Sequence, residues 1–238
     1  MPQLHRVFAS ATDAHEAFTL DSRTGRILAR APAGSYPDGL AYDPVERHVF
    51  VSDEAGGVET VLNAKGARIA TIALGGAAGN VQYDPGTGHV LVDVQTRDEV
   101  VVIDPTTNTI IRRVPVHCQS DHSLYVDSSR RLAFVACDGD AKLLTLDLRH
   151  LAVTQTFGVG SDPDVLAFDS GSRRLYVAAE SGDVAVFAEH GRSLTKLGQA
   201  HLASAAHTVA VDSRTHLVYF PLEVGSYGRP QLLIMKPV

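Results

Sequence analysis

The chain has 238 residues, 45% of them hydrophobic and 20% charged, the balance of an ordinary globular protein with a sizeable core. Its net charge of −6 argues against a dedicated nucleic-acid binder, whose surface carries a basic excess. No apolar run is long enough to span a bilayer, the opening MPQLHRVFASATDAHEAF lacks the basic start and apolar stretch of a signal peptide, and the lack of Trp excludes a WD-type repeat signature.

The first apolar segments, LHRVFAS, EAFTLD and GRILARAPA, read as three β-strands within 1–36. From there one pattern recurs. An Asp stands at Asp43, Asp84, Asp127, Asp169 and Asp212, at spacings of 41, 43, 42 and 43 residues. Three residues before it comes Leu40, Val81, Leu124, Leu166 or Val209, and one before it Tyr42, Tyr83, Val126, Phe168 or Val211. Seven after it comes Phe50, Leu91, Phe134, Tyr176 or Tyr219, and eight after it Val51, Val92, Val135, Val177 or Phe220. Full units run near 37–78, 79–119, 120–161 and 162–204. Each reads as four short strands, which in the second of them are NVQYD, HVLVDV, EVVVID and TIIRRVPV. HTVAVD, LVYFPL and QLLIMKP supply three more strands within 205–238. Aligning Val7-Phe8 with Val49-Phe50 shows that 1–36 lacks the innermost strand of a unit, while 205–238 lacks the outermost.

No window of the chain carries a helical stripe. The strands are apolar on both faces, so both faces of each sheet are expected to be covered. A period of ~40–50 residues with four strands per unit predicts the blades of an all-β β-propeller, with 1–238 as one domain of about six units. The repeat Asp ends the first strand and opens the turn to the second. In that place it accepts backbone hydrogen bonds in an Asx-turn, and a structural role is expected at all five positions.

The repeat resembles the YVTN-type β-propeller repeat of the YncE family. The likeness is carried by YDPVERHVFVSDE, YDPGTGHVLVDVQ, VDSSRRLAFVACD, FDSGSRRLYVAAE and VDSRTHLVYFPLE. The connecting strands EVVVIDPTTNTIIRRVPV, KLLTLDLRHLAVTQTFGVG and FTLDSRTGRILARAPAG match its V-I-D-x-x-T-x-x-V hallmark. The resemblance spans nearly all of 5–238 and implies a fold rather than an activity. It implies a seven-bladed propeller, often exported to the periplasm or secreted. Seven such units need ~295 residues. The chain is therefore expected to be an N-terminally shortened propeller, with a closed six-bladed ring or an open arc as alternatives. Val7, Ile27 and Leu28 at one end, and Leu232, Leu233 and Ile234 at the other, are expected to expose blade faces through which it self-associates.

The propeller resemblance places ligands at one channel mouth, among loops entering the first strand and leaving the second of each unit. Five residues before the repeat Asp stand Asp38, Gly79, His122, Asp164 and His207. Eleven after it stand Glu54, Gln95, Asp138, Glu180 and Glu223, with Thr12 in the first partial unit. The residue type varies from unit to unit, as an asymmetric site requires. Carboxylates, an amide and imidazoles suit a polar or cationic ligand or a divalent metal. The same side chains serve equally to satisfy loop N–H groups. Within VHCQSDHS, Cys118 and His122 join Cys137 as a donor set for a soft metal. The two cysteines can instead form a disulfide in an oxidising compartment, or stay as free thiols, and the spacing does not choose. Arg47, His48, Arg130, Arg131, Arg173, Arg174 and His216 lie on the opposite turns. They read as solvated charge, or as a docking face for an acidic partner.

No HExxH, GxSxG or GxxxxGK[ST] is present. The expected function is non-enzymatic recognition of a small molecule or protein at the acidic mouth. The runner-up is a metal-dependent hydrolase of the lactonase class.

Overall fold

The repeat Asp organises each unit. Asp43, Asp84, Asp127, Asp169 and Asp212 each accept on Oδ1 the backbone N–H two residues on, from Val45, Gly86, Ser129, Gly171 and Arg214, at 2.8–3.0 Å. Four residues past each Asp the backbone turns left-handed, at Arg47, Gly88, Arg131, Arg173 and His216, with φ from 57° to 75°. A type I turn closed by a left-handed residue is a common connection between hairpin strands. Only Gly88 enters that conformation without the Cβ penalty. A second series of turns works in the same way. Asp21, Asn63, Asp104 and Asp147 accept the N–H of Arg23, Lys65, Thr106 and Arg149 at 2.8–2.9 Å. The Asp of the V-I-D hallmark is thus another turn residue.

The computed structural model describes residues 4–223, 225 and 228–237. It divides into two compact units, 1–115 and 116–238. Unit 1 holds three antiparallel sheets. The first is β1 (Arg6–Ala11), β2 (Glu16–Asp21) and β3 (Ile27–Pro32); the second is β4 (Pro37–Asp43), β5 (His48–Asp53), β6 (Val58–Asn63) and β7 (Arg68–Ala73). The third is β8 (Ala78–Asp84), β9 (His89–Val94), β10 (Glu99–Asp104) and β11 (Thr109–Pro115). Unit 2 opens with β12 (Asp121–Asp127), β13 (Leu132–Cys137), β14 (Lys142–Asp147) and β15 (Ala152–Gly158). It continues with β16 (Pro163–Asp169), β17 (Arg174–Ala179), β18 (Asp183–His190) and β19 (Ser193–His201), then with β20 (Ala210–Asp212), β21 (Leu217–Leu222) and β22 (Gln231–Met235). These six antiparallel sheets are the blades of a β-propeller. Among the described residues the first and last have three strands, and β20 is shorter than the HTVAVD segment expected to form it.

Burial is graded across a blade. The middle strands are buried on both faces: all six residues of β13 are, and five of six in β5, β9 and β17. The outermost strands β7, β11 and β15 are mostly exposed, so the covering of both faces expected from the sequence stops short of the edge. In unit 1, Phe50 and Val61 pack with Val90, Val92, Val101 and Ile103. In unit 2, Phe134 and Leu143 pack with Phe168, Leu175 and Phe187. Each fully buried apolar side chain of this size stabilises by about 1.5–3 kcal/mol.

Val7, Ile27, Leu28, Leu232 and Ile234 are 40–57% exposed. Leu233 differs from expectation. It packs against Val218, Phe220 and Tyr176, because alternate residues of a strand face opposite ways.

The basic turns of unit 2 are not simply solvated. Arg173 forms ion pairs with Asp127, the repeat Asp of the preceding blade, and with the buried Glu189, and its guanidinium lies 4.8 Å from the Phe168 ring centroid. His216 makes the equivalent contact one blade on, with Nδ1 2.8 Å from Asp169 Oδ2. Arg192 binds Asp147 and the carbonyl of Arg130. The turn charges tie blade to blade because Asp127 and Asp169 also present their second carboxylate oxygen, to Arg173 and His216 of the following blade.

Candidate functional site

In both units one backbone bond sets the two loops of a blade side by side. The N–H of the leaving residue reaches the carbonyl two residues before the entering one. The pairs are Glu54 to Tyr36, Gln95 to Ala77, Asp138 to Ser120 and Glu180 to Asp162, at 2.8–2.9 Å. Asp38 is therefore held near Glu54, His122 near Asp138, and Asp164 near Glu180.

Unit 2 adds one feature and shares another. Ser120, Asp162 and Ala205, each two residues before an entering residue, have φ of 53–57°. The strands that follow slip register, between Asp121 and Ser123 in β12 and between Pro163 and Val165 in β16, as β4 and β8 of unit 1 also do. The extra residues are His122 and Asp164. A bulge of this kind takes a residue out of the ladder and re-aims its side chain.

The three entering residues converge. Asp164 Oδ1 lies 3.1 Å from His122 Nε2, and its Oδ2 accepts a hydrogen bond from His207 Nδ1. His207 Nδ1 also lies 3.1 Å from Glu180 Oε1, and His122 Nδ1 lies 3.8 Å from Asp138 Oδ2. The result is an alternating row: Asp138, His122, Asp164, His207, Glu180. His122 is the most enclosed, at 12% side-chain exposure, and Glu180 the most open, at 50%. Burial opposes the ionisation of Asp164, but the hydrogen bonds and charge of His122 and His207 outweigh it and hold that carboxyl below its ordinary value. Gly182 seats the loop that leads to His207. Its φ is +82°, Leu202 N–H bonds its carbonyl, and a Cβ there would stand 2.0 Å from Ala203 O.

The other expected site residues are placed differently. Gln95 is buried and donates Nε2 to Ala78 O at 2.8 Å, so its amide closes its own loop. Asp38 sits in β4, where its carbonyl accepts the Ser10 hydroxyl, and Thr12 caps the Pro37 carbonyl. Glu54 lies just past β5, and Glu223 is exposed just past β21. Cys118 and Cys137 form a disulfide. Both sulfurs are thereby taken, so Cys118, His122 and Cys137 do not make a thiolate metal site in this oxidised state. Cys137 ends β13 rather than lying in a loop, and its partner across the ladder is Asp121, next to His122.

Asp53 has a role that sequence reasoning passed over. Its Oδ1 accepts the N–H of Tyr36 at 2.7 Å and of Gly56 at 3.1 Å, joining the entering and leaving loops of its blade. The signal was present, since the same repeat position holds Val94, Cys137, Ala179 and Leu222 elsewhere.

No protein-family model and no curated protein sequence matches the chain. Solved structures do, and they define the class as β-propeller. Hydrazine synthase of Kuenenia stuttgartiensis is similar at a TM-score of 0.69 and 10% identity, covering 98% of this chain and 93% of that one. A functionally unknown protein from Desulfotomaculum acetoxidans DSM 771 is similar at 0.77 and 14%, covering 98% and 86%. The RRP9 WD40 repeats are similar at 0.76 and 12%, covering 94% and 73%. Identities this low establish the shared fold. They also show it being reached here without the Trp of the WD signature.

Proposed function

We propose that this chain is a YVTN-type binding propeller without a reaction of its own. Its recognition site is the end of unit 2 where His122, Asp138, Asp164, Glu180 and His207 meet. The observation that carries this reading is the engagement of both oxygens of one carboxylate, Asp164, by imidazoles from the blade before and the blade after. A row that holds three carboxylates against two imidazoles favours a small polar or cationic ligand. Loops that need only satisfied backbone groups do not require five titratable side chains in one row. Glu223 occupies the corresponding loop position of the last blade of unit 2 and would serve as an accessory contact; Asp38, Glu54 and Gln95 hold the equivalent positions in unit 1, where the Gln95 amide is spent on Ala78 O. The Cys118–Cys137 disulfide supports an oxidising compartment, in keeping with an exported protein.

The test is a thermal-shift panel of small organic cations and simple lactones on the full chain, repeated on Asp164→Asn/His207→Gln. A stabilising compound whose shift disappears in the double variant is the expected result. Shifts that persist in the variant would place recognition elsewhere. Turnover of a lactone by the wild type alone would return the hydrolase reading.

A further inference from the structure

The donor atoms at this end of unit 2 are chemically specific. One oxygen of Asp164, one of Glu180 and a ring nitrogen of His207 all lie within 4.8 Å of one another. We infer that Asp164, Glu180 and His207 form a binding site for a borderline divalent transition metal of the Zn2+ or Co2+ class. This rests on the reading of that end as the recognition site and deepens it.

Three features of the cluster select the metal class. First, the donors are one imidazole nitrogen and two carboxylate oxygens. That set suits Zn2+, Co2+ or Ni2+; a soft ion would want sulfur, and Ca2+ takes six to eight oxygens. Second, His207 Nδ1 faces both carboxylates at once, through Asp164 Oδ2 and, at 3.1 Å, Glu180 Oε1. The nitrogen and two oxygens are already gathered within 4.8 Å, so a cation seated among them would take the place of the shared proton as the donors move slightly apart. Third, the ligand Asp164 is itself held. His122 Nε2 fixes Oδ1 at 3.1 Å and leaves Oδ2 to the centre. Outer hydrogen bonds of this kind orient metal-binding carboxylates. His122 is thus a positioning residue, backed in turn by Asp138 at 3.8 Å.

Three protein donors leave a tetrahedral or larger coordination shell incomplete. Glu180 is half exposed, so the open positions face solvent. A small ligand with an anionic or neutral oxygen could complete the shell. A metal would therefore turn a cation-attracting row into a site that also accepts oxygen donors.

The test uses the full disulfide-bonded chain, stripped with EDTA and titrated with Zn2+ by calorimetry, and with Co2+ by visible absorption. One saturable Zn2+ site is expected, with a Co2+ d–d spectrum of low coordination number. His207→Ala should abolish both signals. Glu180→Gln, at a half-exposed position where folding is not at stake, should weaken binding sharply. His122→Ala should weaken it by roughly 10–100-fold while keeping the Co2+ spectrum, which a ligand's own loss would not do. No saturable binding of either ion, or binding unchanged in both His207→Ala and Glu180→Gln, would overturn the inference. If metals fail while an organic cation still shifts the wild type and not the Asp164→Asn/His207→Gln variant, the metal is refuted and the recognition site stands.

Discussion

Removing the disulfide should separate stability from recognition. Cys118 and Cys137 are 19 residues apart in sequence. Closing a loop of that length takes about 11 cal/mol/K from the unfolded chain, or about 3 kcal/mol at 25 °C. Cys118 and Cys137 are 5% and 0% exposed, so serine at these positions would add a buried hydroxyl and overstate the loss. Cys118→Ala/Cys137→Ala is the cleaner variant. Urea unfolding followed by circular dichroism, with linear extrapolation to water, measures the difference. The loss expected is about 3 kcal/mol. The loop that bears His122 keeps two backbone bonds without the bridge, Asp138 N–H to Ser120 O at 2.9 Å and Gly139 N–H to Gln119 O at 3.0 Å. Binding at the His122–His207 row should therefore survive. A loss below about 1 kcal/mol would refute the loop-closure argument. Abolished binding in a folded variant would show that the bridge, and not those backbone bonds, places His122.

Asp84→Ala should cost ~0.5–2 kcal/mol through its lost bonds to Gly86 and Thr87, with ligand and metal binding unchanged; lost binding at an unaltered melting temperature would contradict the turn assignment. Glu59 is fully buried, and burial, only partly offset by the Ser52 hydroxyl and reinforced by Asp53, raises its pKa from 4.5 to about 8. A raised carboxyl stabilises the fold below pH 4.5 and loses that contribution as pH climbs towards 8, so stability should fall across this window at up to ~1.4 kcal/mol per pH unit, and Glu59→Gln should flatten the slope; equal slopes in both proteins would exclude Glu59 as its source. Leu232 and Ile234 are 57% and 56% exposed on β22, so sedimentation should show self-association that Leu232→Lys/Ile234→Lys reduces, and a concentration-independent monomer would remove the idea.

What the sequence made legible follows from what repetition reveals. The repeat Asp and its flanking apolar residues appear five times, and every one of those Asp side chains makes the same turn bond. The variable positions were also legible as a set, because His122, Asp164 and His207 replace one another at a fixed offset. Their convergence was not. It depends on left-handed residues at Ser120, Asp162 and Ala205, joined to a register slip that β12 and β16 share with β4 and β8. None of those has a sequence signature of its own. Gln95 shares an offset with Glu180 and the same backbone bond, yet it opens a 3-10 turn over Gln95–Arg97 and its amide folds back onto Ala78. Arg173 and His216 look like ordinary turn charge in one dimension; only the fold brings Asp127 and Asp169 of the preceding blades beneath them. The cysteines show the same limit, as a separation of 19 residues fits a bridge, a metal or two thiols equally well until strand pairing sets Cys137 opposite Asp121.

The most direct test of the site is anomalous diffraction at the zinc edge from crystals of the full chain grown with Zn2+. One strong peak is expected about 2.0–2.2 Å from His207 nitrogen and from carboxylate oxygens of Asp164 and Glu180, with His122 still on the other oxygen of Asp164. Peaks only at exposed surface histidines, with the His122–Asp164–His207 row unaltered and empty, would contradict it.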